Sequence, residues 1–311
     1  MSGGAFPDPL PSLNSASDDV PGPPFDSVDA DVIFRTADRV EFRLHRTVLS
    51  LISPVFRAMF SLPQPQTSPA IPIVDVSEAS HIFDKAMRFI YPGACTTIDS
   101  PSDLWDILNV LIHKYDVHYI VPAAREQLRK FLHDEPLAVF IVAYTFEWND
   151  LSIEAAKQTL KLPLRSVTSL APKELAHFPA AVYHNLLRYH YLCGAAAKNE
   201  ADDLTRLPFP NEYVWFSCMD CDGASLGWYL ADGRAHNVRK WFGEYLDKVP
   251  LLVMECPSMD ITCHISIQDA LKGASGCETC RAKAFGQFPE WVKTSLKPRI
   301  EAAVKKVELI L

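Results

Sequence analysis

The chain is 311 residues long, enough for two domains or for one domain with an extension. Apolar residues make up 48% and charged residues 22%, so there is material for a sizeable core, and the formal net charge is −8. An acidic chain without a long basic run lacks the electrostatic footprint of a nucleic-acid binder. No stretch approaches the length of about 18 uninterrupted apolar residues that a membrane span needs. The first basic residue is Arg35, so neither a secretory n-region nor an Arg-rich transit peptide is visible. An intracellular protein is expected, cytoplasmic or nuclear. Its eight cysteines would then be reduced, and metal binding is worth testing ahead of a disulfide framework.

Residues 1–24 hold six prolines and few bulky apolar groups, too little to offset the entropy of ordering, and are expected to form a disordered tail. In "DVIFRTADRVEFRLH" the pairs Val32/Phe34 and Val40/Phe42/Leu44 alternate with polar residues across the turn Ala37-Asp38-Arg39, which predicts a β-hairpin. The next stretch, "FRLHRTVLSLISPVFRAMF", is apolar at helical spacing but interrupted by Ser53-Pro54. Serine is a good N-cap, and proline suits the first helical position because its missing N–H has no partner there anyway. The interruption predicts two short helices, 46–52 and 54–61. "IPIVDV" reads as a third strand, at an edge because of Pro72. A helix follows over "SEASHIFDKAMRFI" with Ser77 as cap, then one after Ser100-Pro101 and one from Pro122.

These residues, in this order, resemble a BTB/POZ domain. The family's signature stands here as Asp31-Val32, His45-Arg46-Thr47-Val48-Leu49, Ser53, Phe56 and Met59-Phe60, followed by "IVDVSEASHIFDKAMRFIYPG". The resemblance implies an α+β fold, a small sheet flanked by α-helical hairpins over residues 25–133, followed by a mainly α-helical C-terminal region. Residues 134–200 resemble the helical extension (BACK-like) that often follows such domains, with Leu137, Phe140, Ile141, Tyr144 and Trp148 on one apolar face.

The resemblance also implies homodimerisation and recruitment of other proteins. Asp31 and Arg46 match a charged pair that lines an interaction pocket in some repressor relatives, with His45 beside them. The structural alternative is that Asp31 caps local backbone, Arg46 lies at the surface and His45 is a packing residue. Many dimeric relatives exchange an extra N-terminal strand and helix, and the proline-rich start here shows neither. Relatives that bind a cullin scaffold of ubiquitin ligases often carry an apolar-x-Glu motif where Leu62-Pro63-Gln64 stands, with Gln in place of Glu.

Residues 201–311 contain Cys218-x-x-Cys221 and Cys277-x-x-Cys280, with Cys256 and Cys263-His264 between them. Each C-x-x-C turn presents two thiolates, and two such knuckles supply the four soft ligands of a structural Zn²⁺. Against this, 55 residues separate the pairs, far more than in a compact zinc ribbon. Reduced thiols packed as small hydrophobes and a redox pair remain the alternatives. Trp215, Phe216, Trp228, Trp241 and Phe242 read as core aromatics. The last segment predicts a docked amphipathic helix with Val292, Leu296, Ile300, Val304 and Val307 on one face and a kink at Pro298.

No phosphate loop, dinucleotide glycine pattern, nucleophile elbow or H-E-x-x-H is present, so no enzymatic chemistry is expected. The leading reading is a non-catalytic interaction protein, in one form a ubiquitin-ligase substrate adaptor. The alternative is a transcriptional regulator with a zinc-stabilised C-terminal region. That region holds 13 Lys+Arg against 15 Asp+Glu, an unpromising balance for a DNA reader.

Overall fold

The computed structural model describes residues 21–62, 71–94, 96–203, 205, 213–221, 223–230 and 233–311, with backbone alone for 223–228. Most of the expected tail therefore lies outside the described residues. The chain divides into two compact units, residues 1–126 and 127–311.

The first unit is built on a three-stranded sheet of order β2-β1-β3, with β1 Val32–Arg35, β2 Glu41–Leu44 and β3 Ile73–Asp75. The hairpin register pairs Val32 with Leu44 and Phe34 with Phe42, so the alternating apolar residues share one face. β3 runs parallel to β1 at the edge, where Pro72 still offers its carbonyl to the Ile33 N–H. The connection between them carries α1 Arg46–Ile52 and α2 Pro54–Ser61. Ser53 caps α2: its hydroxyl accepts from the Phe56 N–H at 3.1 Å and donates to the Tyr115 carbonyl at 2.5 Å. Pro54 thus starts a second helix, and the buried serine hydroxyl is fully used.

After β3 come α3 Ser80–Ile90 and α4 Pro101–Leu108, the latter continuing into a π-helical turn over Asn109–Lys114, and then α5 Val121–Arg129, within which the division between the units falls. Ser77 does not cap α3. Its hydroxyl instead faces the Lys114 ammonium at 3.1 Å, and the cap comes from the hairpin turn, where the Asp38 carboxylate accepts the Ser80 N–H at 3.0 Å and the Ser80 hydroxyl at 2.6 Å. The core is aromatic. Phe34 stacks on Phe83 at 5.7 Å and meets Phe56 edge-on at 5.6 Å, and Phe56 stacks on Tyr115 at 4.3 Å. Phe25, from the segment ahead of the hairpin, is fully buried against Phe42 and Tyr91, and its carbonyl accepts the Arg43 N–H.

The second unit is mainly helical. It begins with α6 Pro136–Thr145 and α7 Asn149–Thr159. Only one face of α6 was expected to be apolar, but every residue from Pro136 to Ala143 is buried. A helix without a polar side belongs inside a core, and the run "PLAVFIVA" has no polar residue to turn outward. Then follow α8 Leu164–Ser169, a 3₁₀ turn over Lys173–His177, and the 23-residue α9 Ala180–Asp202.

The chain continues through α10 Val214–Ser217, an antiparallel ribbon of β4 Gly223–Tyr229 and β5 Ala235–Arg239, and α11 Lys240–Glu255. It ends with α12 Ile265–Ala274, α13 Glu278–Trp291 and α14 Lys297–Lys305. α9 and α11 approach so closely at Gly194 that an added Cβ would lie 2.2 Å from the Met254 carbonyl oxygen. α14 also packs on α9, burying Leu296, Ile300 and Val304, with Val307 half-buried. Around Pro298 the chain widens into a π-helical segment, Val292–Leu296, before resuming as α-helix. Among the described residues no helix is long and apolar enough to cross a membrane.

Candidate functional site

Two one-turn knuckles meet in the second unit. α10 ends at Cys218, which caps it, and Cys221 follows on the next turn. Cys277 is the N-cap of α13, and Cys280 lies in its first turn. Packing brings them together. Trp215 of α10 stacks on Phe242 at 4.9 Å and meets Phe288 and Trp291 of the α13 helix, all four rings being buried. The Val214 N–H donates to the Gln287 side-chain oxygen at 2.9 Å, fixing the register of α10 along α13.

The result is a cluster of Cys218, Cys221, Cys277 and Cys280 whose sulfurs all lie within 4.8 Å of one another. Cys218 is 3.6 Å from Cys277, Cys221 is 3.6 Å from Cys280, and Cys218 is 3.7 Å from Cys221. Four sulfurs placed tetrahedrally at about 2.3 Å from one ion would be about 3.8 Å apart. The spacing therefore suits a single metal ion, and no disulfide joins any two of the four cysteines.

Burial pushes the Cys218 thiol up, but the hydrogen bond from the Asp220 backbone N–H, with those of the neighbouring sulfurs, outweighs it and the net shift is downward. Burial raises Cys221, and the adjacent Cys280 and Cys218 add to the rise. Burial also raises Cys280, to about 11, against the opposing influence of the Trp241 indole N–H, which has no acceptor of ordinary geometry. The Cys218 thiolate is favoured while Cys221 and Cys280 are held towards the protonated form. A divalent cation is what would let four crowded sulfurs all ionise.

The other described cysteines take no part. The Cys256 thiol donates to the Lys161 carbonyl at 3.0 Å, Cys263 is exposed, and the His264 side chain caps α12 by accepting the Ser266 N–H. Cys193 is buried in α9, and Cys95 lies outside the described residues.

In the first unit the structure brings Asp31, His45 and Arg46 to the start of α1. The Asp31 carboxylate accepts the backbone N–H of Arg46 at 2.7 Å. The Arg46 guanidinium lies 4.8 Å over the Phe60 ring, a cation–π contact. His45 Nδ1 contacts the Tyr91 hydroxyl, which also accepts the His45 backbone N–H at 3.1 Å, and Nε2 is 3.4 Å from Asp29. Pro63 and Gln64 of the loop Leu62-Pro63-Gln64 lie outside the described residues.

Residues 25–132 match the family model of the BTB/POZ domain. This is a BTB/POZ domain-containing protein. No curated protein matches the chain. The BTB domain accounts for the sheet, its aromatic core and the Ser53 cap, and it is a module for binding proteins. Its signature residues Asp31 and His45 hold backbone and neighbouring side chains in place at the mouth of α1.

Outside the BTB domain, sequence reasoning missed the residues that brace the knuckles. Asp220 and Thr279 occupy the third position of their knuckles, and the Thr279 hydroxyl donates to the Asp220 carboxylate at 2.5 Å. The Arg239 guanidinium donates to the Cys221 carbonyl at 2.8 Å. The matching position of Asp220 and Thr279 inside the two C-x-x-C turns was the one visible hint. Nothing in the sequence pointed to Arg239.

Proposed function

We propose that this protein is a non-catalytic adaptor that self-associates through its BTB domain and holds other proteins through its helical second unit. The observation that carries the reading is the BTB domain over residues 25–132. Light scattering of the full chain at micromolar concentration should give at least a dimer mass. Monomer mass up to about 100 μM, where association worth roughly 5–6 kcal/mol would be visible, removes self-association from the reading.

A structural Zn²⁺ held by Cys218, Cys221, Cys277 and Cys280 belongs to the same proposal. It is supported by four sulfurs at tetrahedral spacing from segments distant in sequence, which is the soft ligand set that zinc prefers. Zinc here would be structural, because four protein ligands leave no position open for substrate. Metal analysis of protein purified without chelator should find close to one equivalent of zinc. Metal-free protein with four free thiols, or with two disulfides across the knuckles, would overturn it.

Recruitment to a cullin scaffold is a finer proposal, resting on the place of Leu62-Pro63-Gln64 after Met59-Phe60. Gln64→Glu should strengthen a cullin pull-down, and absence of binding in both forms retires the idea. A transcriptional regulator is less well supported, given the acidic balance of residues 201–311. Reduced cysteine ligands require an intracellular setting, whether cytoplasmic or nuclear.

A further inference from the structure

The second unit contains a groove of about 690 Å³, separate from the cysteine cluster and formed wholly within residues 127–311. Ligand pockets typically span roughly 300–1,000 Å³. Its floor is apolar, formed by Leu160, Tyr189, Ile300 and Val304, each mostly withdrawn from solvent. Its walls carry lysines from two elements: Lys157 and Lys161 at the end of α7, and Lys297 and Lys305 on α14. Asp260 engages Lys297 at 3.1 Å, whereas Lys157, Lys161 and Lys305 are exposed and have no ion-pair partner among the described residues. Four lysines line the groove against two carboxylates, Asp260 and Glu301, on a chain whose net charge is −8. The local sign is opposite to that of the whole molecule, so the groove attracts anions that the rest of the surface repels.

The spacing discriminates among anions. Lys297 and Lys305 are eight residues apart on one helix, about 12 Å along its axis. One phosphate or carboxylate cannot reach both, and a free inorganic anion would leave the apolar floor unused. An extended peptide advances about 3.3 Å per residue, so carboxylates a few residues apart can meet successive lysines while a side chain between them reaches the floor.

We propose that this groove docks an acidic peptide segment of a partner protein, with a large apolar side chain on the Leu160–Ile300 floor and flanking carboxylates on the lysines. The proposal rests on the adaptor reading only in taking the occupant to be another protein; self-association plays no part in it. The full chain should be screened against a random displayed peptide library. Enriched sequences should combine Asp or Glu with Leu, Ile, Phe or Trp. A fluorescein-labelled peptide from that pool should bind about tenfold or more weakly to Lys157→Glu/Lys161→Glu and to Lys305→Glu, and should weaken as salt is raised.

These are exposed side chains, so unchanged melting curves will show that the variants fold. Lys157→Gln/Lys161→Gln should give a smaller loss of the same sign. Absence of enrichment, enrichment of basic or uncharged sequences, or affinity indifferent to the reversals overturns the proposal. Failure of the screen while dodecanoate binds the wild type and not the reversed variants assigns the groove to an anionic amphiphile, and overturns it too. Acidic-peptide binding by a chain that scatters light as a monomer supports the groove and removes self-association, so the two readings fail separately.

Discussion

In the BTB unit, Ser53 joins α2 to Tyr115 through one hydroxyl placed beside the proline that starts the helix. In the second unit, the comparable task of joining α10 to α13 falls to four sulfurs from knuckles 55 residues apart and to the packing of Trp215 against Phe288 and Trp291. The first unit is fastened mostly by directed hydrogen bonds at element ends, around a sheet whose register the hairpin turn sets. The second lacks a comparable sheet among its described residues and depends on helix-to-helix packing and, on the proposed reading, on a metal cross-link between the two knuckles. A fastening by caps fails in small steps, each worth about 1 kcal/mol. One by a metal cross-link fails as a whole, because binding free energy is folding free energy there.

The largest expected effect breaks that cross-link. Apparent zinc affinities of structural sites correspond to roughly 10–16 kcal/mol, so losing one ligand should remove far more than any cap. Cys277→Ser, or a strong chelator, should melt the second unit at much lower temperature and spare the BTB unit. Tryptophan emission separates the two: Trp148, Trp215, Trp228, Trp241 and Trp291 lie in residues 127–311 and Trp105 alone in the first unit. The emission change should therefore move with Cys277→Ser while an unfolding signal from the sheet stays. Coincident transitions in wild type and variant would show that the cysteines do not pin the unit.

Next comes Gly194→Ala. Its new methyl would sit 2.2 Å from a backbone carbonyl, which cannot rotate away, so α9 and α11 must separate. Overpacking of this kind costs about 1–3 kcal/mol or more, and outweighs the gain of up to about 1 kcal/mol in helix propensity. Denaturant unfolding followed by tryptophan emission should show the loss; a stabilised variant would mean that the helices do not meet there in solution.

Much of the BTB unit was legible because its signals are local. Alternation at Val32, Phe34, Val40, Phe42 and Leu44 needs no knowledge of the rest of the chain, and Ser53-Pro54 announces a helix start by its own chemistry. Where a partner is remote, the pattern misled or was silent. Ser77 had the right residue type to cap α3, yet Asp38 does so from the hairpin turn, because the sheet brings that turn to the helix end. Phe25, next to a proline-rich tail, gave no sign that its ring fills the gap between Phe42 and Tyr91. The knuckles were visible as C-x-x-C, but their meeting depends on Trp215, Phe242, Phe288 and Trp291, which read only as generic core aromatics. For Asp31, the sequence offered a pocket residue or a cap, and the structure places its carboxylate on the Arg46 N–H.

Ser53→Ala sharpens the comparison within the BTB unit. It leaves the Phe56 N–H without its cap and the buried Tyr115 carbonyl without its donor. The two losses together should cost about 2 kcal/mol. Because the fastening is local, tryptophan emission from the second unit should hardly respond, whereas far-ultraviolet dichroism should show the earlier transition. A loss below about 0.5 kcal/mol would mean that water replaces both bonds.

The smallest effect is electrostatic and tests the remote cap on α3. Hydrogen bonds from the Ser80 hydroxyl, then from Thr36, hold the Asp38 carboxyl down at about 2, against an ordinary 3.8. A carboxylate whose folded pKa is depressed stabilises the fold fully above its unfolded value. That contribution fades as pH falls from 3.8 towards about 2, where the folded form takes up its proton. Because Asp38 is exposed, solvent screens the interaction and the change in melting temperature should be slight. Asp38→Asn should melt below wild type near neutral pH, with the gap narrowing over that acid range. A side-chain carboxyl NMR titration checks the cause directly, since the midpoint should lie well below that of a free aspartate and rise in Ser80→Ala, with the Thr36 hydroxyl and the Ser80 N–H still holding it below the ordinary range. A midpoint indifferent to Ser80 would place the depression elsewhere and leave α3 without its cap from the hairpin. Asp260 gives the second-unit counterpart: the Thr262 hydroxyl, then the Lys297 ammonium, hold it at about 2. Its midpoint should ignore Ser80→Ala, so the two titrations distinguish a lost cap from a general change in the acid response of the chain.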